Sequence, residues 1–356
     1  MFLSLKNGRT GLQRADVRSF LQGGPSPVID VRSPAEFARG HIPGAVNIPL
    51  LNDGERHEVG KKYVQTGREQ AIELGLELVG PKMAILAQSA KSLSPEKHRR
   101  VYCWRGGMRS EKMAWLFELT GLNCTVLDGG YKAYRQAIME RFAQIKKLIL
   151  IQGPTGSGKT EILLAMKELG LQVIDLEGLA RHKGSAFGHL GQLEQPTSQQ
   201  FQNDIFDILR NYNLSMPVFV EAESANIGKV SLPDPLWAKM KTSPVIHIDI
   251  AREARLAHLL EMYGHFPVEE LIESTRRIAG YLGGKRLASV LESLEQGDIP
   301  RAVGQVLEYY DTSYERSRRH HLKEILFTYH SAHFDPSAAA RFIAEKLNQE
   351  ERLHAH

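Results

Sequence analysis

The chain has 356 residues, of which 42% are hydrophobic and 24% charged, as in folded globular proteins and unlike disordered ones. Two cysteines argue against a disulfide framework, and no segment approaches the ~20 consecutive apolar residues that cross a bilayer. We therefore expect a cytoplasmic protein without a membrane segment, and a net charge of +4 permits an anionic partner such as RNA without requiring one.

Short apolar runs predict the strands of the first half of the chain. They lie at 27–31, 100–103 and 125–127, and helices are predicted at about 110–120 and 131–146. Continuous apolar runs of this length are typical of parallel strands that are buried on both faces. The first half therefore indicates an α/β domain, to which we assign residues 10–140.

The second half repeats the alternation of strands and helices. Apolar runs at 147–152, 171–175, 217–221 and 244–249 are separated by helical segments. This order predicts a doubly wound parallel sheet, assigned to residues 141–275. Residues 276–356 are predicted to form a mostly helical C-terminal extension.

A cysteine opens the loop CWRGGMRS at 103–110, between a predicted strand and a predicted helix. Successive backbone N–H groups in such a turn, together with the helix N-terminus, favour an anion and the thiolate form of a cysteine. Cys124 lies in a predicted core strand instead. The predicted catalytic residues are Cys103, Arg105 and Arg109, and the predicted anion loop adds Trp104, Gly106, Gly107, Met108 and Ser110.

The segments VIDVRSPAEFARGHIPGAVNIP at 28–49 and LDGGYKAY at 127–134 resemble the opening and closing signatures of rhodanese domains. The resemblance covers about residues 14–138. It implies that the loop cysteine carries sulfur as a persulfide between a donor and an acceptor. It also implies structural roles for Asp30, Arg32 and Glu36.

The loop from Cys103 to Arg109 has seven residues, whereas sulfur-transferring rhodaneses usually have six. This length is similar to that of rhodanese-fold phosphatases and arsenate reductases. A wider loop should admit a tetrahedral oxyanion, either selenophosphate or a phosphoester. Tyr102 stands where the phosphatases carry histidine, and no general acid is identifiable in the loop, so hydrolysis is disfavoured.

The second half opens on GPTGSGKT at 153–160, which satisfies the P-loop pattern between a predicted strand and a predicted helix. Its backbone amides and lysine bind phosphates, and Thr160 can hold Mg²⁺, although no metal site is certain. The predicted phosphate-binding residues are Gly153, Thr155, Gly156, Ser157, Gly158, Lys159 and Thr160. Candidate acidic partners of the P-loop are Glu221, Glu223 and Asp175. Each of them can also be interpreted as a carboxylate that merely ends a strand.

With ESANIGK at 223–229, the two loops make residues 10–340 resemble the tRNA 2-selenouridine synthase family. That resemblance implies a transferase acting on tRNA with 2-thiouridine at the wobble position. Geranyl diphosphate would alkylate the sulfur, and selenophosphate would supply the selenium that replaces it. Cys103 would carry selenium as a selenyl sulfide and Lys159 would hold the diphosphate, while any role of ATP stays open.

Two further interpretations remain at this point. One is a rhodanese-fold phosphatase, arsenate reductase or sulfurtransferase fused to a P-loop domain resembling a kinase. The other is a non-catalytic RNA-binding module switched by a nucleotide. Loss of phosphoester turnover in Cys103→Ser would favour the first, and tRNA binding that is unchanged in Cys103→Ala, with no chemistry lost, would favour the second.

Overall fold

The computed structural model describes residues 11–320 and 323–354. The chain divides into two compact units, Met1–Glu140 and Arg141–His356. Each unit is an α/β layer structure around its own parallel sheet. The predicted fold class is thereby confirmed.

The first unit contains a five-stranded parallel sheet in the order β1-β5-β4-β2-β3. Its strands are β1 (Gln13–Ala15), β2 (Val28–Asp30), β3 (Val46–Asn47), β4 (His98–Tyr102) and β5 (Asn123–Leu127). Its helices are α1 (Val17–Leu21), α2 (Pro34–Arg39), α3 (Asp53–Thr66), α4 (Arg68–Val79), α5 (Met83–Ser92), α6 (Met108–Leu119) and α7 (Gly130–Ala143), the last of which runs on into the second unit.

The central strand β4 is buried on both faces although its sequence, HRRVY, contains three basic residues, and the buried guanidinium groups of Arg99 and Arg100 donate to backbone carbonyls. Val101 from β4, Val126 from β5 and Phe117 from α6 meet in the core. Because all strands run in parallel, β4 delivers Cys103 to the carboxyl edge of the sheet, where sites of open α/β sheets lie.

The second unit has a five-stranded parallel sheet in the order β12-β11-β6-β8-β7 and a small antiparallel hairpin of β9 and β10. Its strands are β6 (Leu148–Gln152), β7 (Gln172–Val173), β8 (Val218–Glu221), β9 (Asn226–Ile227), β10 (Val230–Ser231), β11 (Val245–Ile250) and β12 (Ile325–Ser331). Its helices are α8 (Lys159–Glu168), α9 (Leu176–Ala180), α10 (Ser198–Leu209), α11 (Asp234–Thr242), α12 (Arg252–Tyr263), α13 (Val268–Arg277), α14 (Ala279–Leu282), α15 (Gly284–Glu295), α16 (Ile299–His320) and α17 (Pro336–His354).

The C-terminal region is mostly helical, as predicted, but it also contains strand β12, which the sequence analysis did not predict. This strand pairs with β11 at the sheet edge, and α17 then packs against α8. The burial of β12 is only partial, which explains why its sequence, ILFTYHS, mixes apolar and polar residues.

Two apolar clusters stabilise the second unit. One lies between the sheet and helices α8 and α17. The other is formed largely by α12, α13, α15 and α16, without any strand. Among the described residues, no helix is both long and apolar enough to cross a membrane.

Candidate functional site

The cysteine loop lies between β4 and α6. Cys103 is 3% exposed, and its carbonyl accepts a hydrogen bond from the Tyr131 amide at 2.8 Å. Gly106 has φ +64°, and a Cβ there would overlap the carbonyl oxygen of Leu127. The start of α7 thus supports the loop from behind, and only glycine fits at this close approach.

The inner surface of this loop can hold an anion. Within the described part of the chain, the amides of residues 104–110 donate no hydrogen bond to protein. The Ser110 hydroxyl lies 3.2 Å from Cys103 Sγ, close enough to donate to a thiolate, and 3.0 Å from the Gly107 carbonyl oxygen. Cys103 Sγ also lies 3.9 Å from the Gly107 carbonyl oxygen. The loop thus combines unbonded amides with a buried sulfur that a hydroxyl contacts, and both features suit a nucleophile that meets an oxyanion.

The loop arginines are placed differently from each other. Arg109 donates to both carboxylate oxygens of Glu36, at 2.7 and 3.3 Å. Burial alone would raise the pKa of Glu36, but hydrogen bonding and charge from Arg109 outweigh it, and the pKa lies below its ordinary value. Arg105 is exposed to solvent. Of the two arginines predicted to be catalytic, Arg109 is therefore paired with Glu36 in this structure.

Two further arginines stabilise this region. Arg14, which the sequence analysis did not select, donates to the Gly106 carbonyl at 3.3 Å and to Asp128 at 2.9 Å. Arg32 is buried and pairs with Asp30 at 2.6 Å, in line with the structural role that the resemblance implies. Sequence spacing gives no signal for Arg14, because β1 is short and pairs with a strand more than a hundred residues away.

The P-loop joins β6 to α8 at the carboxyl edge of the second sheet. Gly156 and Gly158 have φ of +81° and +70°, a conformation that other residues adopt only with strain. Lys159 Nζ donates to the Gly153 carbonyl at 3.2 Å, and Ser157 is buried with its hydroxyl on the Pro154 carbonyl at 2.7 Å. The predicted phosphate-binding residues thus come together in one turn.

A buried arginine fixes the P-loop from outside. Arg255 is 6% exposed, donates to the Thr155 carbonyl at 2.9 Å and pairs with both oxygens of Asp311 at 2.8 and 2.9 Å. The ring of Phe334 contacts Gly158 from another side and stacks on His258 at 3.9 Å. Helices α12 and α16 and the segment before α17 therefore all contribute to the shape of the loop.

The acidic residues take separate positions. Glu221 is fully buried and accepts from the Leu176 amide at 3.0 Å, while Asp175 caps α9 by accepting from the Gly178 amide at 2.7 Å. Glu223 instead lines a cavity beside the P-loop together with Glu177, which the sequence analysis did not select. Glu177 accepts a hydrogen bond from the Thr160 hydroxyl at 2.9 Å.

Glu223 and Glu177 are neighbouring carboxyl groups beside the P-loop. Burial and the nearby Glu177 carboxylate raise the pKa of Glu223 to about 7, although Lys159 works to lower it. Burial also raises the pKa of Glu221 well above its ordinary value, and the neighbouring Asp175 and Glu177 add to that effect. Among the described residues, no group of three or more His, Cys, Asp and Glu side chains is arranged as a metal site.

A cavity of about 320 Å³ begins at the P-loop and continues between helices α12, α13, α15 and α16, whose apolar side chains are here called the helical cluster. Its polar end contains Thr155, Gly156, Gly158, Lys159, Thr160, Glu177, Lys183, Gly184, Ser185 and Glu223. Its other end, called the apolar chamber below, is lined by Leu259, Met262, Leu271, Val290, Leu294, Ala302, Val303, Val306 and Leu307. The P-loop and the apolar chamber are thus two ends of one site.

Aromatic and basic side chains also line this cavity. The ammonium group of Lys183 lies 5.5 Å from the centre of the Tyr263 ring, and both residues line the cavity. The Tyr310 hydroxyl accepts from the Ala186 amide at 3.4 Å. Lys183 belongs to a basic sequence, RHK at 181–183, that gives no indication on its own of a position opposite a P-loop.

In comparisons with known proteins, one family model matches the region of the P-loop and another matches the region of the cysteine loop. The model of the tRNA 2-selenouridine synthase AAA domain matches residues 146–341, and that of the rhodanese-like domain matches residues 13–137. A tRNA 2-selenouridine synthase of Nitrosomonas europaea is 42% identical over 247 residues, which cover 67% of this chain and 63% of that protein. One of Cupriavidus necator is 35% identical over 349 residues, which cover 88% of this chain and 94% of that protein. The chain belongs to the tRNA 2-selenouridine synthase family.

Proposed function

We propose that this protein synthesises 2-selenouridine at the wobble position of tRNA. In this proposal geranyl diphosphate first alkylates the sulfur of 2-thiouridine, and selenium from selenophosphate then replaces the S-geranyl group. The family names support selenouridine synthesis in tRNA. The observation that carries the geranyl step is the cavity that joins the P-loop to the apolar chamber.

The apolar chamber favours a prenyl diphosphate over a nucleotide. Its lining is hydrocarbon and thioether, and the Thr275 hydroxyl beside it is already bound to the Leu271 carbonyl at 2.8 Å. A purine placed there would leave its ring nitrogens and amino group without partners, at a cost of roughly 1–3 kcal/mol for each group. A geranyl chain has no polar atom to satisfy and gains from burial.

The alkylation step needs charge stabilisation at the diphosphate. The sulfur of 2-thiouridine attacks C1 of geranyl diphosphate, the C–S bond forms, the C1–O bond breaks, and its electron pair leaves with the diphosphate. The base loses its N3 proton in the same conversion. We assign the developing negative charge to the P-loop amides and Lys159, with Lys183 as a second cation on the cavity wall.

Thr160, Glu177 and Glu223 offer oxygen atoms that fit Mg²⁺. This ion is usually held by one or two carboxylates together with substrate phosphates, and it would neutralise part of the diphosphate charge. Burial and the nearby Glu177 carboxylate raise the pKa of Glu223, and a cation bound between the two carboxyl groups would relieve both effects. We therefore propose that Mg²⁺ binds beside Thr160 together with the diphosphate.

We assign the selenium step to Cys103. Its thiolate attacks the phosphorus of selenophosphate, the P–Se bond breaks, and the released selenide attacks C2 of the base, from which geranylthiolate leaves. Water then cleaves the S–P bond on Cys103 and releases phosphate, so no atom changes its oxidation state.

The Cys103 sulfur contacts the Ser110 hydroxyl, and the amides of the same loop have no protein acceptor among the described residues, a combination that suits a small oxyanion such as selenophosphate. An alkylated sulfur leaves C2 of the base more readily than a thiocarbonyl sulfur, which gives the geranyl step its chemical purpose. Residues 10–140 would then form the domain of selenium transfer and residues 141–275, with the helical extension 276–356, the domain of alkylation.

The test is to incubate the full chain with tRNA containing 2-thiouridine and to analyse the nucleosides by mass spectrometry. With geranyl diphosphate alone we expect S-geranyl-2-thiouridine, and with selenophosphate added we expect 2-selenouridine. Selenium incorporation that is equally fast without geranyl diphosphate would overturn the alkylated intermediate. Absence of both products, combined with turnover of p-nitrophenyl phosphate that requires Cys103, would support the phosphatase interpretation instead.

A further inference from the structure

The apolar chamber has a measurable length along helix α16. Tyr310, Leu307, Val306, Val303 and Ala302 all line the cavity, at the i, i−3, i−4, i−7 and i−8 positions of one helical face. Because an α-helix rises about 1.5 Å per residue, the eight positions from Tyr310 to Ala302 span about 12 Å. These residues form a continuous wall along one side of the chamber.

The two ends of this wall differ in their neighbours. Tyr310 is bound to the amide of Ala186, one residue after the cavity residues Gly184 and Ser185, so it marks the polar end. Next to it, Asp311 binds the arginine that holds the P-loop. The other end, at Ala302, is in the first turn of α16 and is 2% exposed.

Helix α15 lies beside α16 and lines the chamber with Val290 and Leu294. It runs antiparallel to α16, and the hydrogen bond from Gln305 to Ser289 at 2.8 Å fixes the register between them. This register places Leu294, in the last turn of α15, beside the connection to α16 and thus near Ala302. Leu294 is 3% exposed and lines the cavity.

The length of an extended prenyl chain can be compared with the distance from Tyr310 to Ala302. A covalent chain advances about 1.2 Å per bond, as the extended polypeptide backbone does, so each isoprene unit of four bonds adds about 5 Å. Two units need about 10 Å and three need about 15 Å, against the 12 Å or so between Tyr310 and Ala302. The wall therefore accommodates a ten-carbon chain and is too short for fifteen carbons.

We propose that Leu294 and Ala302 form the end wall that limits the donor to a chain of two isoprene units. This inference rests on the proposed function, because it assumes that a prenyl diphosphate enters at the P-loop. It assigns chain-length selection to residues that make no contact with the phosphates. Enlarging or filling the end wall should then change which donor is used without removing prenyl transfer.

The experiment compares dimethylallyl, geranyl and farnesyl diphosphate as donors to 2-thiouridine tRNA, with kcat/KM measured for each. Leu294→Ala should raise the ratio of farnesyl to geranyl transfer at least tenfold, since one methylene in an apolar pocket changes selectivity by about 10–200-fold. Ala302→Leu should lower geranyl transfer at least tenfold and leave dimethylallyl transfer within about threefold of its original value.

Leu282→Ala is the matched control, because Leu282 is buried in the same helical cluster but does not line the cavity. It should leave the donor ratios unchanged. If the unmodified protein transfers geranyl but neither end-wall variant alters the ratios, the end-wall assignment is wrong and the proposed function stands. If it transfers no prenyl group at all, the proposed function fails, and the end wall with it. Ala302→Leu adds volume where Leu294→Ala removes it, so a folding defect in one variant leaves the other as the test.

Discussion

The cysteine loop and the P-loop have similar backbone settings but differ in the side chains that surround them. Each follows the central strand of a parallel sheet and opens a helix, and each requires positive φ at glycine, at Gly106 in the cysteine loop and at Gly156 and Gly158 in the P-loop. Around the cysteine loop, the arginines Arg14 and Arg109 are paired with protein carboxylates, so backbone amides remain for the ligand. Around the P-loop, Lys159 and two carboxylates line a cavity that extends into an apolar chamber. The first arrangement suits a small oxyanion, and the second suits a diphosphate that carries a hydrocarbon.

Removal of the Cys103 sulfur tests whether the cysteine loop serves selenium transfer alone. Cys103→Ala should reduce selenium incorporation by at least about 10³-fold, as expected when a nucleophile is lost. Formation of S-geranyl-2-thiouridine should stay within about twofold, because the P-loop is untouched. Nucleoside mass spectrometry measures both products.

The control for that variant is Cys124→Ala, since Cys124 is equally buried but lies in the core, where burial raises its pKa to about 12. It should retain both activities. Loss of geranylation in Cys103→Ala, with folding intact, would contradict the separation of the two steps.

Lys159→Ala should give the opposite pattern. Removing the cation at the diphosphate should slow geranylation by about 10²–10³-fold, while pre-geranylated tRNA is still converted to 2-selenouridine. Lys167→Ala, at an exposed position of the same helix, serves as the control. Unchanged rates for both steps in Lys159→Ala would remove the P-loop from the alkylation.

Asp311→Asn probes how strongly the P-loop depends on its support. It leaves the buried Arg255 guanidinium without its charge partner, which should destabilise the second unit by about 2–3 kcal/mol, since Asp311 is itself partly exposed. Hydrogen–deuterium exchange should quicken in peptides of the P-loop and not in those of the cysteine loop. Asp207→Asn, which breaks an exposed ion pair with Arg210, should change stability by less than about 1 kcal/mol.

The smallest effect concerns pH. The pKa of Glu223 is raised from 4.5 to about 7, so its protonated form stabilises the fold fully below pH 4.5 and loses that contribution as the pH rises through 7. In Glu223→Gln this loss is absent, so its Tm relative to the unmodified protein should rise by a few degrees between pH 5 and 8. Thermal melts in EDTA measure the difference, and the exposed Glu194→Gln should show none. A constant Tm difference across this range would argue against the raised pKa.

The sequence predicted both loops and the strands β2, β4, β5, β6, β7, β8 and β11, because buried parallel strands and glycine-rich turns leave local patterns. It missed the short strands β1, β3, β9 and β10 and the edge strand β12. It did not predict the partners of those loops. Arg14, Glu177, Arg255 and Asp311 act through contacts across long separations in sequence, and a single charged residue on a helix carries no local sign of such a contact. Glu36 was read as structural, and the structure adds that it holds Arg109. The apolar chamber was missed for a related reason, since an amphipathic helix has the same pattern whether its apolar face meets a core or a cavity.

The edge strand β12 and the ring of Phe334 have a consequence for how the protein is made. Both reach the P-loop half of the molecule from the segment that follows α16, so they are synthesised after every other strand of that sheet. The rhodanese-like unit is complete much earlier on the ribosome and can fold first. Until residues 325–334 are synthesised, the P-loop lacks the Phe334 ring beside Gly158, and one edge of β11 has no strand partner. A chain that stops before residue 325 would leave this edge of β11 unpaired, and exposed strand edges favour aggregation.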